Sequence, residues 1–134
     1  MIEIPITSIF AAILSLLLIV LSVRVGIVRY HKKIWLLDGG DEKLTRTLRV
    51  QGNFIEYVPL SITLLALVEL GGASSMLVWG LGAGLLLSRL THAIGLSLNE
   101  RSIGRGLGAN GTFLVILVSA GWLLSHNLLL IFHR

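Results

Sequence analysis

A cluster of polar side chains stands at the start of a long apolar segment. Arg46, Arg49, Asn53 and Glu56 recur at spacings of three or four residues, and the chain then continues as LSITLLALVEL. In a helix this spacing puts all four side chains on one face. Guanidinium groups bind carboxylates with paired hydrogen bonds, and a carboxylate binds an ammonium group. The face therefore suits a small anionic molecule that also has a cationic end.

Further cations stand beside other apolar segments. They are Arg24, the pair Arg89 and His92 three residues apart in SRLTHAIG, and the pair Arg101 and Arg105 four residues apart. Charged side chains inside a bilayer are costly and usually face a bundle interior or a cavity. Dicarboxylate peptides such as glutathione fit this charge pattern, and so do other anions, including lipid head groups. Two structural readings also stay open: an ion pair of Glu56 with a nearby arginine, and interface anchoring by Arg101 and Arg105.

The elements that carry these residues are predicted to be membrane helices. The chain has 134 residues, of which 54% are hydrophobic and only 13% are charged. A helix needs about 20 apolar residues to cross a bilayer, and four such segments are found at about 4–28, 43–70, 75–98 and 105–132. Short connections predict one domain over residues 1–134, an all-α, integral membrane four-helix bundle with up-down-up-down topology. The GxxxG pairs Gly80–Gly84 and Gly104–Gly108 predict close helix contacts.

The distribution of charge predicts an orientation. Ten of the eleven Lys and Arg residues lie in 24–49 and 89–105, and the remaining one is Arg134. Because cytoplasmic loops are enriched in cations, the first and third loops are expected in the cytoplasm and both termini on the other side. The chain has no cysteine, so any thiol chemistry must use sulfur from a ligand. Neither a metal site nor a nucleic-acid partner is predicted.

These motifs resemble those of the MAPEG family, the membrane-associated proteins of eicosanoid and glutathione metabolism. The strongest similarity is R-x-x-x-N-x-x-E followed by proline, here Arg49, Asn53, Glu56 and Pro59. The Arg89-x-x-His92 motif and the Arg101 and Arg105 pair before the last helix are also similar. The resemblance covers nearly the whole chain and indicates a bacterial-type member of the inner membrane.

The resemblance implies a homotrimer that binds glutathione as a co-substrate between subunits, near the cytoplasmic side. It further implies a glutathione transferase or peroxidase acting on hydrophobic electrophiles dissolved in the membrane, with Arg105 stabilising the glutathione thiolate. Seven other residues are the expected glutathione-binding set: Arg24, Arg49, Asn53, Glu56, Arg89, His92 and Arg101.

Two alternatives to this enzyme remain. Some family members bind lipid without catalysis, and three positions differ from the enzymes. Gly52 replaces an arginine, and Leu96 and Ala109 replace tyrosines. A non-catalytic membrane protein that binds lipid or glutathione is therefore the second interpretation. The third is a small multidrug transporter, which needs a carboxylate deep in its first helix. Here the first helix has no acidic residue after Glu3.

Overall fold

A computed structural model describes residues 3–99 and 101–132; Arg134 lies outside this range. The described chain forms four α-helices: α1 (Pro5–Lys32), α2 (Glu42–Leu70), α3 (Ser75–Leu98) and α4 (Ile103–Phe132). All four are long and apolar enough to cross a membrane. The predicted all-α membrane bundle is confirmed, and the helix bounds lie within a few residues of the expected ones.

The start of α1 is stabilised by the end of α2. Ile4, at the N-cap of α1, provides no capping side chain. Instead, the carboxylate of Glu69 accepts hydrogen bonds from the backbone N–H groups of Ile6 at 3.0 Å and Thr7 at 2.8 Å. A carboxylate at this position satisfies free N–H groups and complements the positive end of the helix dipole. The two helices are thereby joined at the end opposite the α1–α2 loop.

The α1–α2 loop is held by two aspartates. Asp41 caps α2 and forms an ion pair with Lys32 at 2.7 Å, and Asp38 accepts hydrogen bonds from the Gly40 backbone and the Thr45 hydroxyl. The Lys32 ammonium group lowers the pKa of Asp41, and the Gly40 N–H lowers the pKa of Asp38. Lowered carboxyl pKa values mean that these contacts stabilise the fold at neutral pH. The stabilisation is lost only as the pH falls through those values.

The bundle has α2 and α3 in its middle. Both pack against α1 on one side and against α4 on the other, and the fully buried Leu14, Leu65 and Leu85 belong to the core between them. The outer faces of α1 and α4 carry exposed apolar side chains such as Leu16 and Leu117. An apolar exterior on long helices is what a hydrocarbon environment requires.

Glycine lets α3 and α4 approach closely. A Cβ atom at Gly108 would lie 2.5 Å from the backbone nitrogen of His92 and from the carbonyl oxygen of Ser88, and Gly104 lies against Gly95. The Gly104–Gly108 pair therefore forms the close contact that was predicted. Gly80 does not, since a Cβ atom there would have no neighbour within 4 Å. The close contact places the first turns of α4 beside the end of α3, where the site lies.

Candidate functional site

A cavity of about 430 Å³ lies where the ends of α2, α3 and α4 meet, beside the α1–α2 loop. Among the described residues, its lining includes three arginines and one carboxylate and is therefore strongly basic. Four of the eight expected site residues line it: Arg49, Asn53, His92 and Arg105. The described residues that line it are Gly40, Glu42, Thr45, Arg46, Arg49, Asn53, His92, Leu96, Asn99 and Arg105.

Helix α2 supplies five of these residues, and three of them belong to the polar face that the sequence predicts. Arg46 and Arg49 lie near the start of the helix, and Asn53 lies one turn deeper. Glu56 is on the edge of the same face and does not line the cavity. Its carboxylate lies 3.8 Å from the Arg49 guanidinium, and both side chains are exposed, 51% for Glu56 and 64% for Arg49. The pair thus lies on the outer surface of a single chain.

Helix α3 supplies His92 to the cavity and Arg89 behind it. The Arg89 side chain is only 2% exposed. Its Nη1 donates to Asn53 Oδ1 at 2.9 Å and its Nη2 donates to the Gly108 carbonyl at 3.2 Å. The guanidinium also lies 5.8 Å from the centre of the Tyr57 ring. Arg89 thus joins α2, α3 and α4 without lining the cavity itself.

The other two expected residues lie elsewhere. Arg24 donates to the Ser97 hydroxyl at 2.6 Å and lines a separate, apolar groove between α1 and α3. Arg101 is exposed in the α3–α4 loop, where its backbone N–H donates to Asn99 Oδ1 at 2.9 Å. In a single chain, neither residue belongs to the basic cavity.

Loop residues complete the cavity and were missed as site residues in the sequence. Gly40 and Glu42 come from the α1–α2 loop and the first turn of α2, and Asn99 follows α3. Asp38, Gly39, Gly40 and Asp41 form a sequence that is typical of a turn. The turn is held in place by the Lys32–Asp41 ion pair, which residue spacing does not reveal. Arg46 belongs to the predicted polar face but not to the expected glutathione-binding set.

The sequence comparisons agree with this architecture. A sequence model of the MAPEG family matches residues 7–125. This chain belongs to the MAPEG family. The matched segment contains all the described residues that line the basic cavity. Of the three positions where family enzymes differ, Leu96 lies in the cavity wall, whereas Gly52 and Ala109 do not.

Two curated relatives have the same name, inner membrane protein YecN, in Escherichia coli strain K12 and Escherichia coli O6:H1 strain CFT073. Each is 33% identical over 90 residues, which are 67% of this chain and 69% of the relative. That name states a location in the inner membrane and names no reaction. Family membership and the four apolar helices identify the present chain as an integral membrane protein.

Proposed function

We propose that this protein is a membrane-embedded, glutathione-dependent transferase or peroxidase acting on hydrophobic electrophiles. The observation that carries the proposal is the basic cavity, where Arg46, Arg49 and Arg105 converge with Asn53 and His92. Its volume falls in the range of about 300–1,000 Å³ that is usual for small-molecule sites. Guanidinium groups at this density favour a ligand with more than one carboxylate, and glutathione has two.

The position of the cavity supports a two-substrate reaction. Its polar lining lies at one end of a bundle whose outer faces are apolar. A water-soluble peptide would reach it from the loop side, while the bilayer concentrates an apolar second substrate around the helices. Arg49 and Asn53 would bind the peptide, and Arg105 would hold its thiolate.

A neighbouring subunit would complete the site. We propose a homotrimer because the Arg49–Glu56 ion pair is exposed on one chain, and an exposed charge within the bilayer is costly. Glu56 would then hold the ammonium group of glutathione at the subunit interface. Arg24, which faces its own groove in one chain, would reach the cavity only from a neighbouring subunit.

Arg49→Ala is expected to lower the affinity for glutathione roughly tenfold or more, because it removes a charge-assisted hydrogen bond. Lys43→Ala is the matched control, since Lys43 is an exposed cation on the same helix that does not line the cavity. Calorimetry on the purified proteins in detergent measures the glutathione affinity of both variants. The same preparations are assayed with a panel of electrophiles and lipid hydroperoxides. Equal losses for the two variants, or no binding by the wild type, would contradict the proposal.

One feature favours a second candidate, a protein that binds glutathione or lipid without catalysis. Leu96 lies in the cavity wall at the position of a family tyrosine and offers no hydroxyl group to a ligand. Saturable glutathione binding without turnover on any member of the panel would favour this candidate.

We further propose the bacterial inner membrane as the location, in line with the name of the relatives, with both termini away from the cytoplasm. The cations concentrated in 24–49 and 89–105 support this orientation. A C-terminal alkaline phosphatase fusion, which is active only in the periplasm, is expected to be active. A C-terminal green fluorescent protein fusion is expected to stay dark, and the reverse pattern would overturn the orientation.

A further inference from the structure

The side-chain amide of Asn53 is fixed in one orientation. Arg89 donates to its Oδ1 at 2.9 Å, and a guanidinium has only donors, so the atom facing it must be the amide oxygen. Arg89 cannot easily move away, because it is 2% exposed and its Nη2 is bound to the Gly108 carbonyl. That carbonyl is in place because Gly108 lets α4 approach α3.

The fixed oxygen determines what Asn53 offers to the cavity. Asn53 lines the cavity, and with Oδ1 bound to Arg89, its free polar atom there is the donor Nδ2. Within residues 3–99 and 101–132, the buried side-chain polar atoms without a partner are Thr7 Oγ1 and Arg89 Nε. Asn53 Nδ2 is not among these buried atoms, and no hydrogen-bond acceptor in the described chain binds it. An atom that has no partner and is not buried is accessible from the cavity. Its N–H groups therefore remain available to a ligand.

The charge of Arg89 also favours a negatively charged ligand group beside Asn53. The ion pairs in the described part of the chain join Lys32 to Asp41 and Arg49 to Glu56, so no carboxylate there pairs with Arg89. An unpaired cation in a region of low dielectric constant favours negative charge nearby. The wall of the cavity beside Asn53 thus combines outward N–H donors with a positive potential.

We propose that Arg89 is a positioning residue that makes Asn53 an obligate hydrogen-bond donor, so that this wall accepts a ligand carboxylate and rejects a ligand N–H group. The inference rests on the proposed function and deepens it, because it assigns the specificity of the glutathione site to a residue outside the cavity. The Arg89–Asn53 contact has a specificity role in addition to joining α2 and α3.

Asn53→Asp tests the inference with an almost unchanged shape. An aspartate keeps an oxygen for Arg89 and adds an ion pair, so the fold is expected to be retained, with an unfolding temperature equal to or above that of the wild type. The cavity-facing NH₂ becomes an oxygen, and glutathione affinity is expected to fall at least tenfold. If the Arg89–Asn53 contact only stabilised the fold, the Asn53→Asp variant would remain stable and its glutathione affinity would not fall.

Gln51→Glu is the matched control, because Gln51 is on the same helix, donates to the Ser22 hydroxyl at 2.8 Å and does not line the cavity, while the substitution adds the same charge. Its glutathione affinity is expected to stay within about threefold of the wild-type value. An equal loss in the two variants would show that charge repulsion alone is responsible, which overturns the inference. Unchanged binding by Asn53→Asp overturns it as well. Wild-type protein that binds no glutathione overturns the proposed function and this inference together.

Discussion

Arg105→Ala is expected to lower the rate of glutathione conjugation about 20-fold at neutral pH, with glutathione affinity reduced about threefold. A free thiol has a pKa of about 8.5, so only about 3% is thiolate at pH 7. The chain has no cysteine, and the reactive sulfur would be that of the ligand. A fixed cation beside the sulfur stabilises the thiolate, and its removal would return the ligand to its ordinary ionisation.

The structure places Arg105 where this role is feasible. It lines the cavity and lies in the first turn of α4, where the helix dipole adds positive potential. Its backbone N–H donates to the Ser102 hydroxyl at 3.2 Å, which ties this turn to the preceding loop. Arg105 is therefore held at a defined position on α4.

The pH dependence of the rate separates thiolate stabilisation from interface anchoring. The rate of the Arg105→Ala variant is expected to increase up to about pH 8.5 as the free thiol ionises, whereas the wild-type rate levels off at lower pH. Arg105→Lys keeps the charge and should recover part of the rate. The variant should also lose the ultraviolet thiolate absorbance of bound glutathione. A folded Arg105→Ala protein with wild-type rates would show that Arg105 only anchors the helix.

The sequence predicts the helices well because their determinants are local. Apolar length defines the four segments, and Asp41 and Ser74 cap α2 and α3 where the polar connections end. The same reasoning predicts that Arg49 and Asn53 share a face, because helical spacing fixes the directions of side chains. Both do line the cavity.

The sequence predicts less well which partner each side chain meets. Arg89 and His92 are three residues apart and share a face, yet His92 lines the cavity while Arg89 is buried behind it. That difference depends on how closely α4 approaches at Gly108, a contact between helices that spacing within α3 does not define. Arg24 is a similar case, because its hydrogen bond to Ser97 depends on how α1 packs against α3.

Glu56→Gln is expected to lower glutathione affinity roughly 10–100-fold, the loss of one charge-assisted hydrogen bond to an ammonium group. Glu56 does not line the cavity of one chain, so the proposed trimer places it beside the ligand at the subunit interface. The fold should survive, since its one ion pair in the described chain is the exposed contact with Arg49 at 3.8 Å. Exposed ion pairs contribute little to stability.

Calorimetry, thermal unfolding and native mass spectrometry on the same Glu56→Gln sample distinguish three outcomes. Trimers with normal stability and weak glutathione binding would support a site shared between subunits, with Glu56 as the ammonium ligand. Loss of trimers together with a lower unfolding temperature would show that Glu56 holds subunits together, as expected of a charge that the neighbouring chain covers.

Stable trimers that bind glutathione with wild-type affinity would exclude Glu56 from the site. The ligand would then be held by the cavity of a single chain, where Arg46, Arg49 and Arg105 supply the charge. Among the described residues of that lining, Glu42 provides the carboxylate for an ammonium group.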